Sequence, residues 1–356
     1  MTDAETIEII RVEKSGLEKL DWNNLPFGKV FTDHMLEADF INGQWCNICI
    51  RPYHSLQMSP ATAVFHYGQA IFEGIKAYKN GEGKVAIFRP EENWKRFNLS
   101  AARMDMPEVP EFIFLEGMRQ LIELDAAWVP SAAEHSLYIR PFMIATDEVI
   151  GVKPSETYKF MIILSPSGPY YVKPMRIYVE EKYTRAAPGG VGFAKNAGNY
   201  AGSMLATTQA RKAGYDQVLW TDAFEHKYLQ EVGVMNVFFL LGDKIITPSL
   251  DEGTILPGVT RNSAIDILRE MGYQVEERPI SIDELIAAHR SGQVKEIFGT
   301  GTAATIAYIE ELGYRDYSIQ LDINEWKVAP ALRKHMSDIK SGAIPDKRGW
   351  LFPVNS

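Results

Sequence analysis

Two proline breaks fall close together near the middle of this 356-residue chain: Ser165-Pro166-Ser167-Gly168-Pro169, then Lys173-Pro174. Proline gives no N–H to a helix or a ladder and restricts the residue before it, so a break is expected here. The length also suits two domains better than one. The chain is therefore expected to be α+β, with a small N-terminal domain over 1–171, a linker over 172–177 and a large C-terminal domain over 178–356.

Both halves mix strand and helix patterns. In the first, Ser59 as cap and Pro60 at the first position predict a helix over 59–67. Residues 70–78 read as one strand, Asn80-Gly81 as a hairpin turn and 84–88 as the returning strand. Pro90 opens a helix to about 104, with Trp94, Phe97 and Ala101 on one side. Phe112, Leu115, Met118, Ile122 and Ala126 mark a second helix over 112–127. Strands over 136–146 and 158–165 follow. The second half reads as a strand over 176–181, a helix over 199–212 closed by Gly214, and a strand over 217–221. Strands around Glu231 and over 237–241 come next, with a Gly242-Asp243 turn. Helices over 260–271 and 281–290 and a strand over 296–298 complete it.

Composition removes several function classes. The net charge is −9, and Lys and Arg are scattered, which argues against nucleic acid as a partner. No window approaches the ~18 apolar residues of a membrane span. The start, Met1-Thr2-Asp3-Ala4-Glu5-Thr6, resembles neither a secretory signal nor an Arg-rich transit peptide, so a cytoplasmic location is expected. Cys46 and Cys49 form a lone C-x-x-C on an apparent strand, where residues three apart point to opposite faces; this suits neither a disulfide nor zinc. The seven histidines show no metal spacing, and no metal is expected. His226 reads as a solvated turn residue and His66 as a packed helix residue.

The segment richest in chemistry is Gly189-Gly190-Val191-Gly192-Phe193-Ala194-Lys195-Asn196-Ala197-Gly198-Asn199-Tyr200. Small residues around Lys195 let a flat ring approach closely. Tyr200 follows, and Glu231 lies on the next apolar hairpin. A lysine, a tyrosine and a semi-buried acid are the parts that hold pyridoxal phosphate: the lysine as Schiff base, the acid against the pyridine nitrogen. Two segments offer donors for the phosphate. Leu256-Pro257-Gly258-Val259-Thr260 leads into a helix, and Phe298-Gly299-Thr300-Gly301-Thr302-Ala303 reads as a Gly/Thr turn after a strand. The pattern Gly299-x-Gly301-x-x-Ala304 also matches a dinucleotide fingerprint. A helix should then follow, whereas Thr305-Ile306-Ala307-Tyr308-Ile309 favours a strand. No Gly-Lys-Ser/Thr occurs, which excludes a P-loop.

With these residues in place, the chain resembles the branched-chain amino acid aminotransferases of fold-type IV, over almost its whole length. The landmarks are Phe31-Thr32-Asp33-His34-Met35, Phe72-Glu73-Gly74-Ile75-Lys76-Ala77, Phe88-Arg89-Pro90, Tyr138-Ile139-Arg140-Pro141, the Lys195–Tyr200 run, Glu231-Val232-Gly233, Leu256–Arg261 and Phe298–Ala303. The pattern is closest to the longer, eukaryotic-like branch. The resemblance implies a small mixed α/β domain and a larger domain of β-barrel-like sheets flanked by helices, assembled as a homodimer. It implies transamination of leucine, isoleucine and valine with 2-oxoglutarate, giving branched 2-oxo acids and glutamate, by a ping-pong Schiff-base mechanism. By the same resemblance Lys195 is the catalytic lysine, Tyr200 bonds the cofactor's phenolic oxygen, and Glu231 pairs with the ring nitrogen. Arg96, Val259, Thr260 and Thr302 hold the phosphate, Leu256 packs on the ring, and Arg185 stands behind. Phe72, Tyr138, Val152 and Tyr170 line the substrate pocket, Arg140 lies beside it, and the backbone near Ala303 seats the carboxylate.

The chain departs from the family in two ways. Val234 stands where a threonine is frequent, so a hydroxyl contact is missing. Ala304 and Ala307 replace the thiol pair that some vertebrate members carry. Other fold-type IV enzymes, D-amino acid aminotransferases and aminodeoxychorismate lyases, share the lysine and glutamate and remain the nearest alternatives.

Overall fold

The computed structural model describes residues 6–132, 134–169 and 173–355, and these form two compact units. The first comprises Met1–Tyr170, Ala194–Ala197 and Ser337–Ser356. Its strands are β1 (Glu8–Ile9), β2 (His34–Ile41), β3 (Gln44–Pro52), β4 (Ala70–Phe72), β5 (Ile75–Lys79), β6 (Val85–Phe88), β7 (Ser136–Ala145) and β8 (Tyr158–Ser167). With the C-terminal strand Leu351–Pro353 they form one sheet in the order β1-β3-β2-β8-β7-β5-β6-C-terminal strand, and β4 pairs with β7. The residues Ser337–Ser356 were expected in the second half. They cluster with the first because Leu351–Pro353 pairs antiparallel with β6.

The helices of this unit are α1 (Val64–Tyr67), α2 (Pro90–Arg103) and α3 (Gly117–Leu124), and α2 matches its predicted span closely. The expected helix over 59–67 forms only its last turn, because Ser59 bonds the next residues as a turn: Ala61 N–H donates to its hydroxyl and Thr62 to its carbonyl. The helix expected over 112–127 is a wider π-type turn at Phe112–Glu116, then α3, then a tight turn at Ala126–Trp128. The buried rings of Phe97, Phe114 and Phe160 meet at centroid distances of 5.4–5.8 Å and tie α2 to the sheet. Cys46 and Cys49 lie on β3 and are free. His66 is exposed rather than packed, its ring against the Pro60 carbonyl at 2.9 Å.

The second unit comprises Tyr171–Phe193 and Gly198–Met336. Its strands are β9 (Met175–Val179), β10 (Gln217–Thr221), β11 (Leu229–Val232), β12 (Met235–Leu241), β13 (Lys244–Thr247), β14 (Gln274–Glu277), β15 (Val294–Gly301), β16 (Thr305–Tyr314) and β17 (Tyr317–Gln320). Six of them close a ring, β11-β10-β9-β16-β15-β12, because β12 pairs back onto β11. Closure leaves those strands without a free edge, and their inward apolar residues, Val237, Phe239, Ile297 and Leu312 among them, fill one core. Around it lie α4 (Ala197–Lys212), α5 (Val259–Glu270), α6 (Ile282–Arg290) and α7 (Val328–Lys340), the last running on into residues of the first unit. His226 is half-buried rather than solvated, 3.0 Å from the Thr221 hydroxyl. Among the described residues no helix is long and apolar enough to cross a membrane.

Candidate active site

In the first unit the strand expected over 70–78 is broken at Glu73-Gly74, and the break builds the site. A Cβ on Gly74 would lie 2.4 Å from the Tyr138 hydroxyl, so only glycine lets that phenol in. Glu73 turns fully inside, where Arg96 from α2 grips it with two bonds of 2.8 Å and Asn93 adds a third of 2.8 Å. Burial alone would raise the Glu73 carboxyl. The Arg96 guanidinium outweighs it, with help from Lys195 and Asn93, and holds the acid below its ordinary range.

Beside this pair, the Arg140 guanidinium lies 4.6 Å over the Phe72 ring and 5.3 Å over Tyr138, and donates to the Tyr138 hydroxyl at 2.8 Å. The Lys195 ammonium is 5.0 Å from the centre of the same Phe72 ring. The first unit thus gathers Phe72, Tyr138, Arg140, Arg96 and Lys195. Two of its predicted residues stand differently: Val152 is 92% exposed, and Tyr170 lies outside the described residues. Sequence reasoning gave Phe27 no role. Its ring meets Tyr138 edge-on at 4.7 Å, a long-range contact with no local signal.

In the second unit Glu231 is 3% exposed on β11. Arg185 pairs with it at 2.8 Å, the Leu256 N–H donates at 3.1 Å and the Asn236 amide at 3.3 Å. Arg185 also bonds the Thr254 carbonyl. Asn236 had no role in the sequence reading, yet it is the direct cross-strand partner of Glu231 in a hairpin, a register the short turn already implied. Its amide also donates to the Leu256 carbonyl at 2.9 Å. Leu256 leads into the first turn of α5, where Val259 and Thr260 are buried and their N–H groups have no acceptor within the helix. Tyr200 lies in the first turn of α4. Val234, in the turn after Glu231, is 50% exposed and brings no hydroxyl.

The second donor segment differs from expectation. Gly299, Thr300 and Gly301 are strand residues of β15, paired with β12 and β16, and only residues 302–304 turn. Glycine is kept there by crowding: a Cβ on Gly299 would sit 3.1 Å from Met235. Thr302 and Ala303 are half-buried in that turn, and the buried Thr300 hydroxyl has no hydrogen-bond partner among the described residues. Thr305 then starts β16 rather than a helix, which removes the dinucleotide reading.

Known proteins resemble this chain in sequence and fold. The amino-transferase class IV family matches residues 70–312. A probable branched-chain-amino-acid aminotransferase of Staphylococcus aureus strain MRSA252 is 50% identical over 99% of both chains. Branched-chain-amino-acid transaminase 1 of Bacillus subtilis strain 168 is 48% identical over 95% of this chain and 96% of its own. Among solved structures, the T.th. branched-chain amino acid aminotransferase complexed with N-(5'-phosphopyridoxyl)-L-glutamate superposes with a TM-score of 0.72 at 29% identity, covering 89% of this chain and 98% of that one.

Proposed function

The chain belongs to the amino-transferase class IV family and to its branched-chain amino acid transaminases, and we propose that pyridoxal phosphate is its cofactor and 2-oxoglutarate its amino acceptor. The products are branched 2-oxo acids and glutamate, formed in two half-reactions, and we place the enzyme in the cytoplasm. The observation that carries the cofactor reading is Glu231. A carboxylate only 3% exposed that accepts from Arg185, the Leu256 N–H and the Asn236 amide is an acceptor held in one place inside the protein, suited to face a ring N–H. The other residues fit the same group. Lys195 supplies an amine, Arg96 a cation, and the start of α5 with Thr302 a set of donors for a dianion. The phosphopyridoxyl ligand of the T.th. relative supports this reading.

When bound, pyridoxal phosphate supplies an aldehyde for amines and a protonated ring that withdraws electrons from the substrate Cα. Lys195 would hold the cofactor through its amine, and its Nζ would take up the proton that leaves the substrate Cα. Tyr200 and Leu256 would help hold the cofactor together with Glu231, which Arg185 keeps in place. Phe72 and Tyr138 would present the apolar wall. Arg140, bonded to Tyr138, would be the cation for the second carboxylate of the acidic partner. One apolar pocket separates substrates differing by one methylene by only ~1–3 kcal/mol, so all three branched amino acids react.

We also propose a homodimer. Phe65 (61% exposed), Ile150 (73%) and Val152 (92%) are apolar residues in water. The Thr62–Glu148 bridge puts their two segments side by side. In a dimer Val152 lines the partner's pocket.

The deciding experiment adds L-leucine, D-alanine or aminodeoxychorismate to the yellow enzyme and follows the visible band. L-Leucine alone should bleach it, and 2-oxoglutarate should restore it. Bleaching by D-alanine instead would assign a different member of the family.

A further inference from the structure

Both main-chain polar groups of Lys195 are tied to the first unit. Its N–H donates to the Ser100 hydroxyl at 2.9 Å, and its carbonyl accepts from the Phe72 N–H at 3.1 Å. The next residue, Asn196, bridges to Ile71. Ser100 is fully buried on α2, one turn beyond Arg96, and its hydroxyl donates to the Arg96 carbonyl at 2.9 Å. A hydroxyl has one proton to give, so with that proton committed its lone pairs face the Lys195 N–H. Arg96 in turn grips Glu73, and Glu73 is covalently joined to Phe72. The contacts close a circuit: Lys195 to Ser100, Ser100 to Arg96, Arg96 to Glu73, Glu73 to Phe72, and Phe72 back to Lys195.

We infer that Ser100 is a positioning residue: it fixes the main chain of the cofactor-bearing lysine against the helix that presents the phosphate-binding arginine. The inference rests on the roles proposed for Lys195 and Arg96. A side chain reaches its target only as accurately as its backbone is held, and the lysine's flexible stem of four carbons makes that anchorage matter. Without the serine oxygen the Lys195 N–H loses this acceptor, and the main chain there leans on the Phe72 and Asn196 contacts. Lys195 then samples more positions, while the phosphate donors of the second unit are unaffected. The signature is a loss in turnover and in the titration of the bound cofactor, larger than any loss in substrate binding.

The test compares Ser100→Ala and Ser100→Cys with the wild-type holoenzyme. Cysteine keeps the volume and a weak acceptor, so it should fall between the two and guards against a misfolded alanine variant. Three quantities are read: the dissociation constant for pyridoxal phosphate added back to apoenzyme, the pH titration of the visible band, and kcat and KM for L-leucine. Ser100→Ala should weaken cofactor binding and lower kcat by roughly 10-fold or more, with KM changed much less, and it should shift the band's titration. Wild-type values of cofactor affinity, titration and kcat in a folded Ser100→Ala enzyme would overturn the inference. Borohydride reduction and peptide mapping of the wild type separate the two levels. Label on another lysine refutes the role of Lys195 itself; label on Lys195 with an indifferent Ser100→Ala refutes only the positioning role.

Discussion

At the scale of single residues, the glycines separate two physical demands. Gly214, with φ at +90°, ends α4 because an L-residue would be strained there. Gly258 is different: its φ of −68° and ψ of 127° suit any residue, but a Cβ would lie 2.0 Å from the Asn236 side-chain oxygen. Its substitution therefore probes packing without backbone strain. Gly258→Ala should push Asn236 aside, loosen its bonds to Glu231 and to the Leu256 carbonyl, and cost ~1–3 kcal/mol. Cofactor affinity should fall at the same time, by titration of apoenzyme; unchanged affinity in a folded variant would show that Asn236 does not hold Glu231 where it acts. The sequence marked Gly258 as part of an anion-binding turn. It did not show the second reason for glycine, since Asn236 lies on a strand 22 residues earlier. Lys195, Glu231 and the start of α5 stood out as candidates because their chemistry is local: unusual residue types in runs of small neighbours. Ser100, Asn236 and Phe27 were not, because ordinary residues acquire a role only through a distant partner.

At the scale of elements, spans with strong periodicity or a proline start were legible, such as α2 and β10, and the failures came from tertiary demands. The strand over 70–78 broke because the fold needs Glu73 inside. The last turn of α7 shows a similar override. It places Lys340, 7% exposed, over the rings of Phe88 at 4.8 Å and Tyr78 at 5.4 Å, close to the equally buried Lys76 of β5. Burial, and then the Lys76 charge, push the Lys340 ammonium down to about 7; burial pushes Lys76 down to about 8. Both amines bind protons more weakly in the folded chain than in the unfolded one, where they titrate near ~10.4. The penalty is therefore complete below about pH 7 and is relieved as pH rises from about 7 toward ~10.4. Lys340→Met keeps the volume and removes one charge. It should stabilise the protein by about 1–2 kcal/mol at pH 6.5, with the gain shrinking toward pH 10. Urea unfolding at both pH values measures this; an equal gain at the two would exclude titration as its cause.

At the scale of the whole molecule, the proposed homodimer has to overcome charge. Each chain carries −9, so two copies repel at long range, and short-range contact has to outweigh that repulsion. In the proposed homodimer, Phe65 and Tyr67 of α1 with Val149, Ile150 and Val152 of the loop after β7, two segments bridged at Thr62 and Glu148, would supply that contact. Apolar side chains 73% and 92% exposed, as Ile150 and Val152 are, lose free energy to water that a partner would recover. A stable interface buries at least ~1,000 Å², so in the proposed homodimer these five side chains would form the apolar centre inside a polar rim. Two consequences follow with definite signs. Moderate salt should strengthen the dimer by screening the repulsion, the reverse of an interface built on ion pairs. Ile150→Asp combined with Val152→Asp should shift sedimentation to the monomer and lower kcat/KM for L-leucine, because each pocket then lacks the wall given by its partner. The isolated stability of each chain should change by less than about 0.5 kcal/mol, since neither residue packs in its own core. A double variant that sediments as a dimer would place the interface elsewhere. A fully active monomer would show that Val152 serves no pocket, its own or a partner's.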